Sequence, residues 1–278
     1  MKVLIYCNKE KDFGGTTRDQ LVSYLTNNQI EYQILDDNML KSSITADLLF
    51  AIGGDGTILC LAEFANTNNV PIIGINAGKL GFLCEFEKDD VEDAVELFKS
   101  GEYIQDKRSM VSLECNGKTY NALNEIYIQR IYDPALGNTI AGIQIDIDNE
   151  FISKYRGDGV IISTPTGSTA YAFSLGAPIL SPQSEVFTMT PIAPHSFNQR
   201  PIVYSSNSTC KITFSGKGKV GVFADGKLVE YLTPGQFVKV TSMGEKIVFL
   251  RKKDFNFFKR LSYKMYKNSG GKDWWVKS

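Results

Sequence analysis

The chain has 278 residues, 43% hydrophobic and 22% charged, enough for one large domain or two modest ones with a true core. Lys and Arg number 30 against 31 Asp and Glu, and nothing in the net charge of -1 points to a global nucleic-acid or membrane partner. The five cysteines are odd in number, widely spaced and free of any Cys-x-x-Cys pair. That argues against a disulfide framework or zinc site and for a reducing compartment, so a cytoplasmic location is expected. No stretch approaches a transmembrane span.

Val3–Cys7 reads as a first strand, and Leu21, Val22 and Leu25 place a helix over Thr16 to Leu25. Glu31–Leu35 is a second strand. Leu48–Ile52 is an apolar run bounded by Gly53, as expected of a strand covered on both faces. Ile58, Leu59, Leu61, Ala62 and Ala65 support the next helix, and Val70–Asn76 the next strand. A second glycine-punctuated loop runs from Gly74 through Leu80-Gly81-Phe82. Val91, Ala94, Val95 and Phe98 follow helical spacing, with Gly101 as cap. This alternation predicts a doubly wound, Rossmann-like α/β domain over 1–101, with ligands at the carboxyl ends of its strands.

Gly53-Gly54-Asp55-Gly56-Thr57 sits at such an end. Strand, tight turn and helix start aim N–H groups and a helix dipole at phosphate. Asp55 would repel a phosphate, so its place there points to a base, a metal contact or both. Phosphoryl transfer satisfies all these features. No P-loop motif occurs, and Gly54 to Leu59 lacks the third glycine of the dinucleotide fingerprint.

Beyond residue 102 the texture changes to short β runs. Met110–Cys115, Asn116-Gly117 and Lys118–Leu123 predict a hairpin. Ile143, Ile145 and Ile147 alternate with polar residues, and Asp148-Asn149-Glu150 turns that strand into Phe151–Tyr155. An antiparallel β-sandwich domain is expected over 102–250. Within it, Arg156-Gly157-Asp158-Gly159 feeds an apolar strand. That strand opens into Ser163-Thr164-Pro165-Thr166-Gly167-Ser168-Thr169-Ala170-Tyr171, whose hydroxyls, read as exposed, suit a ribose, amide or phosphate oxygen. The single histidine, His195, follows Pro194 in a loop and is read as structural.

The segments Gly53–Thr57, Asn124-Glu125, Gly157–Gly159, Ser163–Tyr171 and Phe223-Ala224-Asp225-Gly226, in this order, resemble the NAD kinase family across nearly the whole chain. The Gly-Gly-Asp-Gly motif is shared with lipid kinases; the long Ser/Thr motif is far more specific. The resemblance implies transfer of the γ-phosphate of ATP to the 2′-hydroxyl of the adenosine ribose of NAD. Asp55 would be the general base, and Gly56 would let the backbone come close. Asn124 and Glu125 would contact NAD through their polar groups, and Asp158 with Arg156 would form a second anchor. Thr166, Thr169, Ala170, Tyr171, Ala172, Phe173 and Ser174 would line NAD. Phe82 would pack on adenine, and Ala193 would line the pocket. Mg²⁺ or another divalent cation, held largely by the nucleotide, completes the expectation, with no protein ligand assigned to it. A homodimer or homotetramer is implied, without membrane or nucleic acid. Ala177 and Lys227 depart from the residues common in the family. The competing readings are a diacylglycerol- or sphingosine-type lipid kinase and a non-catalytic NAD-binding regulator.

The tail from Arg251 holds nine Lys or Arg and two Asp. Phe258, Leu261 and Met265 have helical spacing, which predicts a helix docking them on the first domain with its basic side chains outward.

Overall fold

The computed structural model describes residues 1–78, 81–132, 140–196 and 198–268, and only the backbone of 267 and 268. Lys79, Leu80, Lys272, Trp274, Trp275 and Lys277 lie outside the described residues. In chain order the strands and helices begin with β1 (Lys2–Cys7), α1 (Thr16–Asn27), β2 (Glu31–Ile34), β3 (Leu48–Gly53), α2 (Asp55–Thr67), β4 (Ile72–Asn76), β5 (Phe86–Glu87) and α3 (Val91–Ser100). They continue with β6 (Tyr103–Cys115), β7 (Lys118–Ala122), β8 (Glu125–Arg130), β9 (Ala141–Ile147), β10 (Glu150–Gly157), β11 (Gly159–Ser163) and α4 (Tyr171–Ser174). The last are β12 (Val186–Ile192), β13 (Ile202–Ser205), β14 (Cys210–Ser215), β15 (Val220–Ala224), β16 (Lys227–Leu232), β17 (Phe237–Lys252) and α5 (Phe257–Asn268).

The chain divides into two compact units. The first comprises Met1–Leu61, Val70–Asp106 and Val248 onward; the second comprises Ala62–Asn69 and Lys107–Ile247. In the first unit, β2, β1, β3 and β4 lie side by side in that order and all parallel, and Phe249 of β17 pairs in parallel with Ile72 of β4. β3 is buried at every residue, as its unbroken apolar run requires. Leu21 and Leu25 of α1 and Val91, Ala94 and Val95 of α3 join Val3, Ile5, Phe50, Ile52 and Ile75 in its core. Gly101 closes α3 with φ 70°, a conformation cheap only without a Cβ. The strand order reverses between β1 and β3, and in a doubly wound sheet the carboxyl ends at such a reversal open a ligand crevice.

The second unit is a two-sheet sandwich. One sheet runs β13-β12-β11-β8-β15-β16, antiparallel throughout. Its inward residues, among them Ile126, Ile128, Val160, Ile162, Phe187 and Met189, pack on Ile143, Ile145, Ile212, Phe214, Val238 and Val240 of the other. Asn116 and Gly117 both have positive φ, as do Asp148 and Asn149, which makes both links primed hairpin turns matched to strand twist.

The tail corrects one expectation. α5 belongs to the first unit and is amphipathic, but Phe258 and Met265 are exposed and Phe257 is the buried aromatic. Arg260 and Lys264 turn toward the loop at 82–85 instead of toward solvent, because that loop presents carbonyls, a carboxylate and an aromatic face.

Candidate active site

In the first unit the site forms around the turn after β3. Gly53 must lack a side chain, because an added Cβ would overlap Thr57 Oγ1. That hydroxyl accepts from Asn8 Nδ2 at 3.1 Å, and Asn8, just past the end of β1, donates its N–H to Ile52 O at 2.9 Å. The two strand ends flanking the reversal are thereby tied together. Asp55 then opens α2, where the helix dipole favours a carboxylate.

Asp55 is held by backbone. Oδ2 accepts from Phe82 N at 2.7 Å and Oδ1 from Leu83 N at 2.9 Å. Among the described residues each oxygen accepts one hydrogen bond, and a carboxylate oxygen has a second lone pair with which to accept from a hydroxyl without losing its orientation. Gly81 is the enabling residue: a Cβ there would collide with the Asp55 carboxylate. Gly54 and Gly56 have open space where a Cβ would sit, so the protein leaves that approach clear.

Two arginines grip the carbonyl side of the loop that supplies these N–H groups. Arg251 Nη1 donates to Leu83 O at 2.6 Å, and its guanidinium pairs with Asp106 at 3.2 Å and Glu85 at 3.4 Å, all fully or nearly buried. Arg260 donates to Cys84 O and to Phe82 O, and pairs with Glu85 at 3.1 Å. Burial with the Asp55 carboxylate nearby pushes the Cys84 thiol up to about 12, which leaves it protonated and inert. Of the residues expected here, Phe82 is brought to Asp55 through its N–H, and Gly56 is exposed at the helix start.

In the second unit the candidate residues lie along the β11–β8–β15 ladder, with Asn124, Glu125 and Asp225 at one end and Asp158 with Arg130 at the other. Asp225 and Gly226 make the primed turn between β15 and β16, with φ 44° and 79°. From there Asp225 accepts from Leu123 N and Asn124 N at 2.8 Å and from Glu125 N at 3.2 Å. Thr164 fixes the same segment from the other side, donating its N–H to Asn124 O and its hydroxyl to Leu123 O. Gly167 comes so close to Asn124 O that no Cβ fits. Asn124-Glu125 is thus clamped between the Asp225 turn and the Ser/Thr stretch.

Glu125 is buried, and its Oε2 has no hydrogen-bond partner among the described residues. Burial, and then the Asp225 carboxylate, push it up to about 8. Burial also raises Asp225, against the pull of its three N–H donors. Glu125 and Asp158 both act on Tyr171, which burial raises first, so the three share one electrostatic neighbourhood. Tyr127 stacks on Phe223 with centroids 4.5 Å apart and meets Tyr171 edge-on at 5.3 Å. Carboxylates beside an aromatic wall form a surface able to hold a sugar and a flat ring.

Two expectations change here. The partner of Asp158 is Arg130, whose Nε lies 2.5 Å from Oδ1, while Arg156 is exposed and accepts from His195 N at its carbonyl. Alternation along β10 turns Arg156 outward between inward Tyr155 and Gly157. The hydroxyl stretch is not open: Ser163, Thr164 and Ser168 are completely buried, Thr166 nearly so, and their hydroxyls build the loop itself. Thr169, Ala170 and Tyr171 are the partly open members, Phe173 and Ser174 are exposed, and Ala172 is buried against Ile161 and Ile192. Ala193 is exposed beside the Gly157-Asp158 turn, with φ 43°. Tyr127 and Arg130 were not singled out in the sequence, and Phe223 entered only as part of the Phe223–Gly226 segment. Only the register of β8 with β11 and β15 brings them in.

The family model for the ATP-NAD kinase N-terminal domain matches residues 5–103, and that for the C-terminal domain matches residues 123–252. The chain is 36% identical over 267 residues to the NAD kinase of Caldicellulosiruptor bescii, covering 95% of this chain and 99% of that protein. It is 34% identical to the NAD kinase of Fusobacterium nucleatum, covering 95% and 97%. Among solved structures, yeast NADH kinase complexed with NADH superposes with a TM-score of 0.84 at 22% identity, covering 99% of this chain and 89% of that one, a likeness of fold alone. An NAD kinase from Archaeoglobus fulgidus in complex with ATP gives 0.75 at 25% identity, covering 95% and 98%. The chain therefore belongs to the NAD kinase family.

Proposed function

We propose that the protein transfers the γ-phosphate of ATP to the 2′-hydroxyl of the adenosine ribose of NAD, with Asp55 as general base. The observation that carries this reading is the Asp55 carboxylate, oriented by Phe82 N and Leu83 N at the carboxyl end of β3 with one hydrogen bond to each oxygen among the described residues. Asp55 accepts the proton of the ribose hydroxyl as the O2′–phosphorus bond forms. The bond from the γ-phosphorus to the bridging oxygen breaks, and ADP leaves with the electron pair. A positioned carboxylate contributes roughly 10²–10⁴ in rate, and alignment and charge neutralisation supply the rest.

The second unit supports the acceptor part of the proposal. Asn124, Glu125, Asp158 and Tyr171 offer polar contacts, and Tyr127 with Phe223 offers a flat aromatic face. Polar groups of this density do not suit the apolar acceptor groove of a lipid kinase. Among the described residues no group of three or more His, Cys, Asp or Glu could hold a metal ion. The residues therefore fit a divalent cation only if it arrives on the nucleotide's own phosphate oxygens, where it would neutralise their charge. Assembly as a homodimer or homotetramer and a cytoplasmic location belong to the same proposal; five free thiols support a reducing compartment.

The test is to mix the protein with NAD, ATP and Mg²⁺ and follow NADP with an NADP-specific dehydrogenase. ATP-dependent NADP is expected. Its absence with NAD and NADH, and with polyphosphate as donor, would overturn the reading.

A further inference from the structure

The inward face of α5 has a feature that the reaction scheme above does not use. Arg260 anchors the helix on the loop at 82–85, through Phe82 O, Cys84 O and the Glu85 carboxylate. Lys264 follows one turn later on the same face. Its Nζ lies 4.0 Å from the centroid of the Phe82 ring. Phe82 is also the residue whose N–H holds Asp55 Oδ2 at 2.7 Å, so Lys264 and Asp55 meet opposite ends of one residue.

The charges around Lys264 are Asp55 and Arg260, beside the protonated Cys84 thiol. Burial lowers its pKa, and the Asp55 carboxylate works against that. The other carboxylates of this region, Glu85 and Asp106, are already engaged by Arg251 and Arg260. Among the described residues Lys264 has the ring as its contact and no hydrogen-bond acceptor. An ammonium carries three N–H donors, and a ring face leaves most of them free. A half-buried point charge with donors to spare suits an anion rich in oxygens. A phosphate brought to Asp55 meets a negative carboxylate, and a cation in that place offsets the repulsion.

We propose that Lys264, delivered by the tail helix to the Phe82 face beside Asp55, is a phosphate-binding residue for the terminal phosphates of the donor nucleotide. The inference rests on the kinase reading for which nucleotide is the donor, but not for the contact itself. Phe82 then has two tasks, fixing Asp55 through its N–H and seating Lys264 through its ring.

The test uses full-length Lys264→Met and Lys264→Arg. Binding of ATP and of AMP, each without NAD, is measured by calorimetry, followed by kcat and KM for ATP. Lys264→Met is expected to lose about tenfold or more in ATP affinity while AMP affinity stays within about twofold, and Lys264→Arg to recover part of the loss. An equal loss for ATP and AMP would make the lysine merely structural and overturn the proposal. Wild-type ATP affinity and KM in Lys264→Met would overturn it as well. If the wild-type protein makes no NADP yet the ATP-specific loss appears, the kinase reading falls and the phosphate assignment stands.

Discussion

Asp55 and Asp158 are both carboxylates next to glycine, yet the two units treat their acidic residues in opposite ways. Around Asp55 the fold spends backbone N–H groups, and places its cations, Arg251 and Arg260, on the far side of the loop that provides them. Among the described residues the carboxylate is aimed by one N–H on each oxygen and has no other partner. Around Glu125, Asp158 and Asp225 the fold instead buries or pairs the acids. Asp225 caps three N–H groups, Asp158 takes Arg130, and Glu125 is buried, with Oε2 unpartnered among the described residues, and raised to about 8. The first arrangement suits a group that must receive a proton; the second suits groups that recognise a polar ligand. A carboxylate's task is thus set by what its neighbours leave free.

The comparison breaks first at Asp55. Asp55→Asn is expected to lose about 10²–10⁴ in kcat, measured as NADP formation, since an amide accepts the same N–H bonds but not a proton. Near-wild-type turnover would remove Asp55 from the chemistry. Arg251→Met should cost about 3–5 kcal/mol in denaturant unfolding, because it takes the arginine from buried Asp106 and leaves Glu85 with Arg260 alone. A loss below about 1 kcal/mol would show that the buried network is dispensable.

Gly81→Ala pushes on the Asp55 carboxylate without touching its chemistry. A fall of about a hundredfold in turnover is expected with the melting temperature little changed, since small misplacements of a reacting group are costly. In the second unit, Asp158→Ala should weaken NAD binding about tenfold by calorimetry and leave Arg130 without its carboxylate. Unchanged affinity would make Asp158 a turn residue only.

A further effect is the pH dependence of Glu125. Its folded pKa, about 8, lies above the ordinary glutamate value of 4.5. The stability tied to its protonated form is fully present below that ordinary value and is lost as pH rises toward 8. Glu125→Gln should therefore match the wild type near pH 4.5 and gain stability relative to it by pH 8. A difference independent of pH would show that the buried acid does not titrate in this window.

Much of this was legible in the chain. The unbroken apolar run of β3 and the glycines around Asp55 announced a covered strand ending in a ligand turn, and Asn116-Gly117 and Asp148-Asn149 gave their hairpins. What failed were features set by tertiary pairing. Arg130 reaches Asp158 only through the register of β8 against β11, which nothing local encodes. Ser163, Thr164 and Ser168 looked like ligand hydroxyls, but a buried loop needs its own hydrogen bonds first. The tail's apolar spacing found a helix and misjudged its face. Arg260 and Lys264 gain more from carbonyls, a carboxylate and a ring than Phe258 and Met265 gain from burial.

The account stands or falls on the claim that Asp55 does chemistry while the second unit does recognition. Calorimetric titration of NAD into Asp55→Asn tests this most directly, alongside its turnover. The account predicts an affinity within about twofold of wild type while the rate collapses by about a hundredfold or more. A loss of NAD affinity as large as the loss of rate would contradict it and make Asp55 a binding residue.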